Sequence, residues 1–517
     1  MTAAPDHGGW SFRRAAAVAV GGLLGALAVD TSLSAAPRSV ELPEPPHPVP
    51  AAGQRDVPCP SGARRIAAGT RIQPVVDAAP AGASFCLAAG VHRAQTIAPK
   101  RGQSFFGEAG TVLSGARLLS HFRAAGSHWT THSDPVPVAR RGICLPQSPL
   151  CDRVEAVFLD DHPLAEVARI ESVGPGRFFF DRNSGLLAIG DDPAGHRVEM
   201  TAAAFAFLSN HAANASVENL VVEKYATPAQ RGAIFDDADA AATGWRIAHN
   251  TVRLNSGLGI LAGPSSTVAA NRVVDNGQLG ISLSSHDIAI EGNEVAGNNR
   301  RGYDPGWEGG GLKGAKAERI VIRGNFVHDN HGPGLWCDID CRDVLYEGNR
   351  VEDNDGAGIF HEISFDAVVR DNVLSNNGRL AHGWYWGANV LIAASQDVLV
   401  TGNRIVVADD GTGIALVDQG RERAGGGTYR TQGNTVRGNT VRFTGAFARM
   451  GGVSDVEPGS SNEGVIERGG NRFADNVYHL PPGIRVVFGW GRRELDFAGF
   501  RAVGQDEGSQ EIAASPQ

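Results

Sequence analysis

Glu291-Gly292-Asn293, Arg323-Gly324-Asn325 and Glu347-Gly348-Asn349 are copies of one pattern, and Asn250, Asn271, Asn372, Asn403 and Asn439 stand in the same setting. An apolar residue follows each asparagine within two positions. Where no insertion intervenes, the copies lie about 21–24 residues apart, which is a solenoid period. A solenoid stacks residues one period apart into columns, so a site can be located by arithmetic.

A second signature follows the asparagine in several copies: Gly257-Leu258-Gly259-Ile260, Gly332-Pro333-Gly334-Leu335, Gly356-Ala357-Gly358-Ile359 and Gly411-Thr412-Gly413-Ile414. Between the signatures run short alternating segments such as Arg319-Ile320-Val321-Ile322-Arg323, which read as strands. Glycine and asparagine tolerate the left-handed backbone of sharp corners. No amphipathic helical pattern of useful length intervenes, and the regular leucines of a leucine-rich repeat are missing. The pattern predicts an all-β chain, a parallel β-helix with its asparagines in a buried ladder.

The ends read differently. Arg13-Arg14 precede an apolar run that suits the core of an export signal, so residues 1–36 are expected to be a signal peptide, loosely of twin-arginine type, or an uncleaved anchor. The Pro-rich residues 37–62 read as a linker. Residues 63–119 supply the cap and first coils, and 120–199 a small inserted β-module with a turn at Asn183-Ser184-Gly185. Residues 200–480 supply the main run of coils, and 481–517 a C-terminal segment with a disordered tail after Asp506. The protein is expected outside the cytoplasm, secreted or held at the cell surface. There, the pairs Cys59 with Cys86, Cys144 with Cys151 and Cys337 with Cys341 are expected as disulfides. Their spacing matches no zinc site, and no cofactor is expected. A solenoid carboxylate face can hold a stray Ca²⁺, but no motif asks for one.

Aligning the coils on the glycine before the apolar residue puts Ile260, Ile281, Leu312, Leu335, Ile359, Val390 and Ile414 in one inward column. The next position points outward and holds Leu261, Ser282, Lys313, Trp336, Phe360, Leu391 and Ala415. Two residues on, the outward column holds Asp338 and Glu362 on adjacent coils, with Asp340 a further outward step along. Strand spacing would set the two carboxyls roughly 5–8 Å apart, the range in which carboxyl pairs hydrolyse glycosidic bonds. An apolar wall from Trp336 and Phe360 can raise the pKa of one carboxyl while the other stays ionised. The candidate catalytic residues are therefore Asp338, Glu362, Asp340, Lys313 and His361. His361 is expected to point inward unless the strand bulges, where a packing role suits it. Lys313 can equally serve as a simple ion-pair partner of Asp338.

Two insertions flank these coils, residues 300–308 and 379–386. They carry Tyr303, Trp307, Glu308, Trp384, Tyr385 and Trp386, aromatic platforms of the kind on which sugar rings stack. Each ring could instead pack on the solenoid.

The segments Gly309-Gly310-Gly311-Leu312-Lys313, Gly334-Leu335-Trp336-Cys337-Asp338 and Gly358-Ile359-Phe360-His361-Glu362 are similar to those of secreted bacterial proteins. Over residues 63–480 the chain resembles the right-handed, pectate-lyase-like β-helix carbohydrate-active enzymes, nearest in character to β-helix glycoside hydrolases. The resemblance implies catalytic acids from adjacent coils and an oligo- or polysaccharide substrate. A polysaccharide lyase or uronate epimerase on the same scaffold would use Lys313 as base. Tyr303-Asp304-Pro305 resembles the start of an alginate-epimerase motif, but Gly306 stands where that motif has histidine. A cleft with Glu308, Asp338, Asp340 and Glu362 in a chain of formal charge −9 suits a neutral glycan better than a polyanion. The third reading is a glycan-binding β-helix without catalysis. The absence of a basic stripe argues against nucleic acid, nothing resembles a nucleotide loop, and the chain is expected to act as a monomer.

Overall fold

The computed structural model describes residues 52–381 and 384–513. The export-signal reading and most of the expected linker therefore lie outside the described residues. Each coil is built from three short strands, too short to bury a face alone, which find partners on the neighbouring coils. Stacking produces two parallel sheets of 13 strands and a third of 11, whose last pair is antiparallel. The chain is a parallel β-helix.

The asparagines are the corner pieces. Along the column that starts at Asn250, the side-chain oxygens of Asn271, Asn293, Asn325, Asn349, Asn372, Asn403 and Asn439 each accept from the Nδ2 of the asparagine one coil earlier, at 2.9–3.0 Å. The same oxygen takes the backbone N–H of that earlier residue, so no corner donor is left buried without a partner. A parallel ladder five residues further on links Asn255, Asn276, Asn298, Asn330, Asn354 and Asn377. This second ladder explains the glycine signature. A Cβ on Gly334 would lie 2.7 Å from the Gly358 carbonyl and 3.0 Å from Asn354 Nδ2, and Gly259 meets the equivalent atoms of Gly280 and Asn276.

The inward column matches its expected register. Ile260, Ile281, Leu312, Leu335, Ile359, Val390 and Ile414 pair in succession and are buried in one continuous core.

Between the early coils and the main run, the chain leaves the solenoid. Ala116–Leu118 and Val198–Thr201 pair antiparallel within a four-stranded sheet, and the intervening chain adds a five-stranded one. The expected turn at residues 183–185 joins Arg177–Asp181 to Leu186–Ile189. Residues 53–55, read as linker, are instead docked: Gln54 Nε2 donates to the Asn219 carbonyl at 2.8 Å, and Arg55 exchanges hydrogen bonds with the Asn219 side chain. The tail expected to be disordered after Asp506 adds a strand, Gln510–Ala513, to the second sheet. Free edge groups on the last coil, and Phe500 of the short helix Phe497–Ala502 buried beside them, explain why polar residues there are ordered.

Cys59 with Cys86 and Cys144 with Cys151 form disulfides, with Cα separations of 5.9 and 5.6 Å. Cys337 with Cys341 does not, which corrects the third expected pair: both are buried free thiols. Cys337 points into the core from the strand Leu335–Asp338. The chain then turns through two left-handed residues, Ile339 and Asp340, and within that turn Cys341 Sγ donates to the Asp338 carbonyl at 3.4 Å.

Candidate active site

Lys313, Trp336 and Phe360 stand side by side in the third sheet, paired Lys313 to Trp336 and Trp336 to Phe360. Ladder hydrogen bonding forces this column, because in-register parallel strands place equivalent side chains on top of one another. Trp336 and Phe360 stack with centroids 5.3 Å apart and planes 10° apart. Two residues on, the strands Leu335–Asp338 and Ile359–Glu362 end at the two carboxylates.

Both acids are buried, Asp338 at 7% and Glu362 at 1% of full exposure. Lys313 Nζ sits 2.9 Å from Asp338 Oδ2 and 3.6 Å from the Trp336 ring centroid, and donates to the Trp307 carbonyl at 2.9 Å. Glu308 lies at 3.9 Å from the same ammonium. Glu362 has a weaker counter-charge, Arg421 at 3.2 Å. Burial, and then the nearby Asp338 charge, push the Glu362 carboxyl up to about 8, against the opposing pull of Arg421, Lys313 and the Trp336 indole. That indole N–H is buried without a well-formed hydrogen bond.

The other two catalytic candidates stand apart from the pair. His361 points into the core, where its ring contacts the Tyr346 hydroxyl at 3.3 Å and the Phe365 carbonyl at 3.2 Å. Burial lowers its pKa to about 4, so it is neutral and packed. Asp340 is not a further outward step of the strand, because the strand stops at Asp338 and left-handed backbone re-aims the chain. Its partner is Arg423, at 3.0 Å.

The flanking insertions divide. Tyr303 is no sugar platform: it is fully buried with Cys151 and Ala229 beneath the segment that carries the Cys144 disulfide. Trp307 stacks on it at 6.2 Å and contributes its carbonyl to Lys313. Glu308, in the short helix Pro305–Glu308, remains at the margin of the site. On the other side, Tyr385 is buried in the apolar cluster that contains Trp336, Phe360 and Leu391, and Trp384 and Trp386 are half-buried against that cluster. These two rings, Trp307 and Glu308 are the expected ligand contacts that keep some exposure.

One part of the site escaped sequence reasoning. Residues 419–431 leave the helix between Asp418 and Thr431 and bring Arg421 to Glu362 and Arg423 to Asp340. Arg423 also lies over Phe365 at 5.0 Å and Tyr429 at 5.8 Å. The interval of 36 residues between Asn403 and Asn439, beside the ordinary 21–24, was the available signal. Among the described residues, the one His/Cys/Asp/Glu group close enough to share a metal is Cys59, Cys86 and Glu108, and its cysteines are joined as a disulfide.

This fold, with acids and aromatics stacked on one face, defines the class: a right-handed parallel β-helix. The family model for the right-handed β-helix region matches residues 232–405. No curated protein matches the sequence. Among solved structures, the complex of XylC with xylose is similar at a TM-score of 0.65 with 16% identity, over 86% of this chain and 83% of that one. The A-module of the Azotobacter vinelandii mannuronan C-5 epimerase AlgE4 aligns over 86% and 95% at 13% identity, TM-score 0.46. The GH136 lacto-N-biosidase from Eubacterium ramulus aligns over 84% and 62% at 12% identity, TM-score 0.33. At these identities the likeness is one of fold.

Proposed function

We propose that the protein is a carbohydrate-active enzyme working outside the cytoplasm, and specifically a glycoside hydrolase for a neutral glycan. The observation that carries this reading is the unequal carboxyl pair on adjacent coils. Glu362, kept protonated by burial at neutral pH, is suited to protonate the leaving glycosidic oxygen. Asp338, held by Lys313, is suited to act as nucleophile or to activate water. Trp384 and Trp386, which keep some exposure, would supply ring faces for the sugar. Access requires Arg421 to move aside, because Glu362 is closed off and Arg421 stands against it. Two disulfides support an oxidising compartment.

The lyase or epimerase alternative needs a free base. Lys313 donates to a carboxylate and a carbonyl and lies against an indole face, which suits a counter-ion better than a base. The test is incubation of the purified protein with neutral and uronate oligosaccharides, beside Asp338→Asn and Glu362→Gln. New reducing ends without unsaturated-uronate absorbance, reduced at least about 100-fold in both variants, support the hydrolase. Unsaturated products that survive both substitutions and vanish in Lys313→Ala would overturn it.

A further inference from the structure

A second polar centre lies where the loop of residues 419–431 begins and ends. Asp418 closes the strand Gly411–Asp418 and is fully buried. Its Oδ1 accepts from the Thr431 backbone at 2.9 Å and from Asn462 Nδ2 at 3.3 Å, while its Oδ2 has no hydrogen-bond partner. Four more buried oxygens around it share that condition: Gln419 Oε1, Ser454 Oγ, Ser460 Oγ and Asn462 Oδ1. Covalent and ladder geometry gathers them. Gln419 adjoins Asp418, Ser454 is the ladder partner of Asp418 on the next coil, and Asn462 bonds to it directly. Ser454 and Ser460 line one cavity of about 570 Å³.

Native proteins rarely leave buried polar atoms unpaired. Among the described residues 16 side-chain atoms are so left, and five of them, all oxygens, fall at this corner. A hard cation would find one free carboxylate oxygen, two amide oxygens and two hydroxyl oxygens, although Arg468, Arg492 and Arg493 also line the cavity beside Ser454 and Ser460. Neither Asp418 nor the neighbouring, exposed Asp455 has an ion pair among the described residues. Burial raises the proton affinity of both, for Asp418 against its hydrogen bonds and the more distant pull of Arg430. Two of the nearby arginines are directed elsewhere, Arg468 to the Glu463 carbonyl at 2.6 Å and Arg492 to that of Val456 at 2.5 Å.

We infer that Asp418, Asn462 and Ser454, with Gln419 and Ser460 at the margin, form a Ca²⁺ site that ties the two ends of the 419–431 loop to the coil beneath. Ca²⁺ accepts irregular sets of carboxylate, amide and hydroxyl oxygens, whereas Mg²⁺ demands a near-ideal octahedron and keeps its water. With one or two carboxylates the affinity belongs to the weak extracellular range, a Kd of about 10⁻⁴–10⁻³ M. Because this loop carries Arg421 to Glu362, the ion would also steady the cover of the carboxyl pair. That consequence rests on the hydrolase reading; the binding itself does not.

Calorimetric titration and thermal unfolding of the chelator-treated full chain with Ca²⁺ or Mg²⁺ test the site without any substrate. The expected result is one Ca²⁺ bound, with a Tm rise of a few degrees that Mg²⁺ does not reproduce. Asp418→Asn loses that rise, and Ser454→Ala, a milder change, weakens binding should Asp418→Asn fail to fold. Asn462→Asp, which adds a charged ligand, binds Ca²⁺ about tenfold more tightly. No calcium response in the unaltered chain would overturn the site in favour of a hydrated polar pocket. Binding that is unchanged in both Asp418→Asn and Ser454→Ala would overturn it equally.

Discussion

Glu362 holds its proton more tightly in the folded state than in the unfolded one, and the sign of the pH dependence follows. Between the ordinary carboxylate range and about pH 8 the native state carries the extra proton, so this group's contribution to stability is full at the acid end and is lost as pH rises through about 8. The same deprotonation removes the proposed acid, so activity is expected to fall over that limb. Glu362→Gln should flatten the Tm-against-pH curve between about pH 5 and 8 and abolish turnover, read by parallel unfolding and rate profiles. Arg421 opposes the upward shift, so Arg421→Ala should move the alkaline limb to higher pH while changing Tm little. A limb that stays in place would detach Arg421 from the chemistry. The pairing of Asp338 with Glu362 was legible from coil arithmetic alone. The roles of His361 and Asp340 were less so, because alternation ends where Ile339 and Asp340 take left-handed backbone.

The coil is the element that carries stability. Asn325 spans two coils with its side-chain carbonyl and amide, so Asn325→Ala leaves the Asn293 backbone N–H without its acceptor and removes the side-chain bonds to Asn293 Nδ2, the Ile290 carbonyl and the Asn349 oxygen. A loss of about 3–5 kcal/mol is expected in denaturant unfolding. A value near zero would mean that water replaces the ladder. The first asparagine column was legible because its period is short. The second was equally present in the sequence, five residues later each time, and it gives the glycine signature its physical cause. Insertions behave differently. The 300–308 and 379–386 loops were recognised by their aromatics, whereas residues 419–431, rich in Arg and Gly, look like a surface loop until Arg421 is seen against Glu362.

Across the whole molecule, the inserted module is fastened to the solenoid by charge. Lys224, buried and with left-handed backbone, contacts Asp161 and Glu199 of the module and lies 3.6 Å from Glu223. Arg93 joins Glu199 from the first coils, and Lys224 rests 5.0 Å over the Phe158 ring. Removing one partner leaves buried carboxylates under-compensated, so Lys224→Ala should cost about 3 kcal/mol and hasten proteolysis within residues 116–201. Unaltered cleavage would show that the apolar core around Phe178 and Leu187 suffices to hold the module.

Short-range periodicity is a local property, written residue by residue, and so the β-helix, its inward column and the adjacency of Asp338 and Glu362 could be read from the chain before any coordinates. Exposure, charge partnership and thiol state depend on segments far apart in sequence. Tyr303 is buried by the Cys144 segment, Lys313 is taken by the Trp307 carbonyl and Asp338 together, and Glu362 is covered by a loop 59 residues away. No period encodes such meetings. They arise when independent loops compete for the same face of the solenoid, and the winner is set by packing and desolvation in the folded chain.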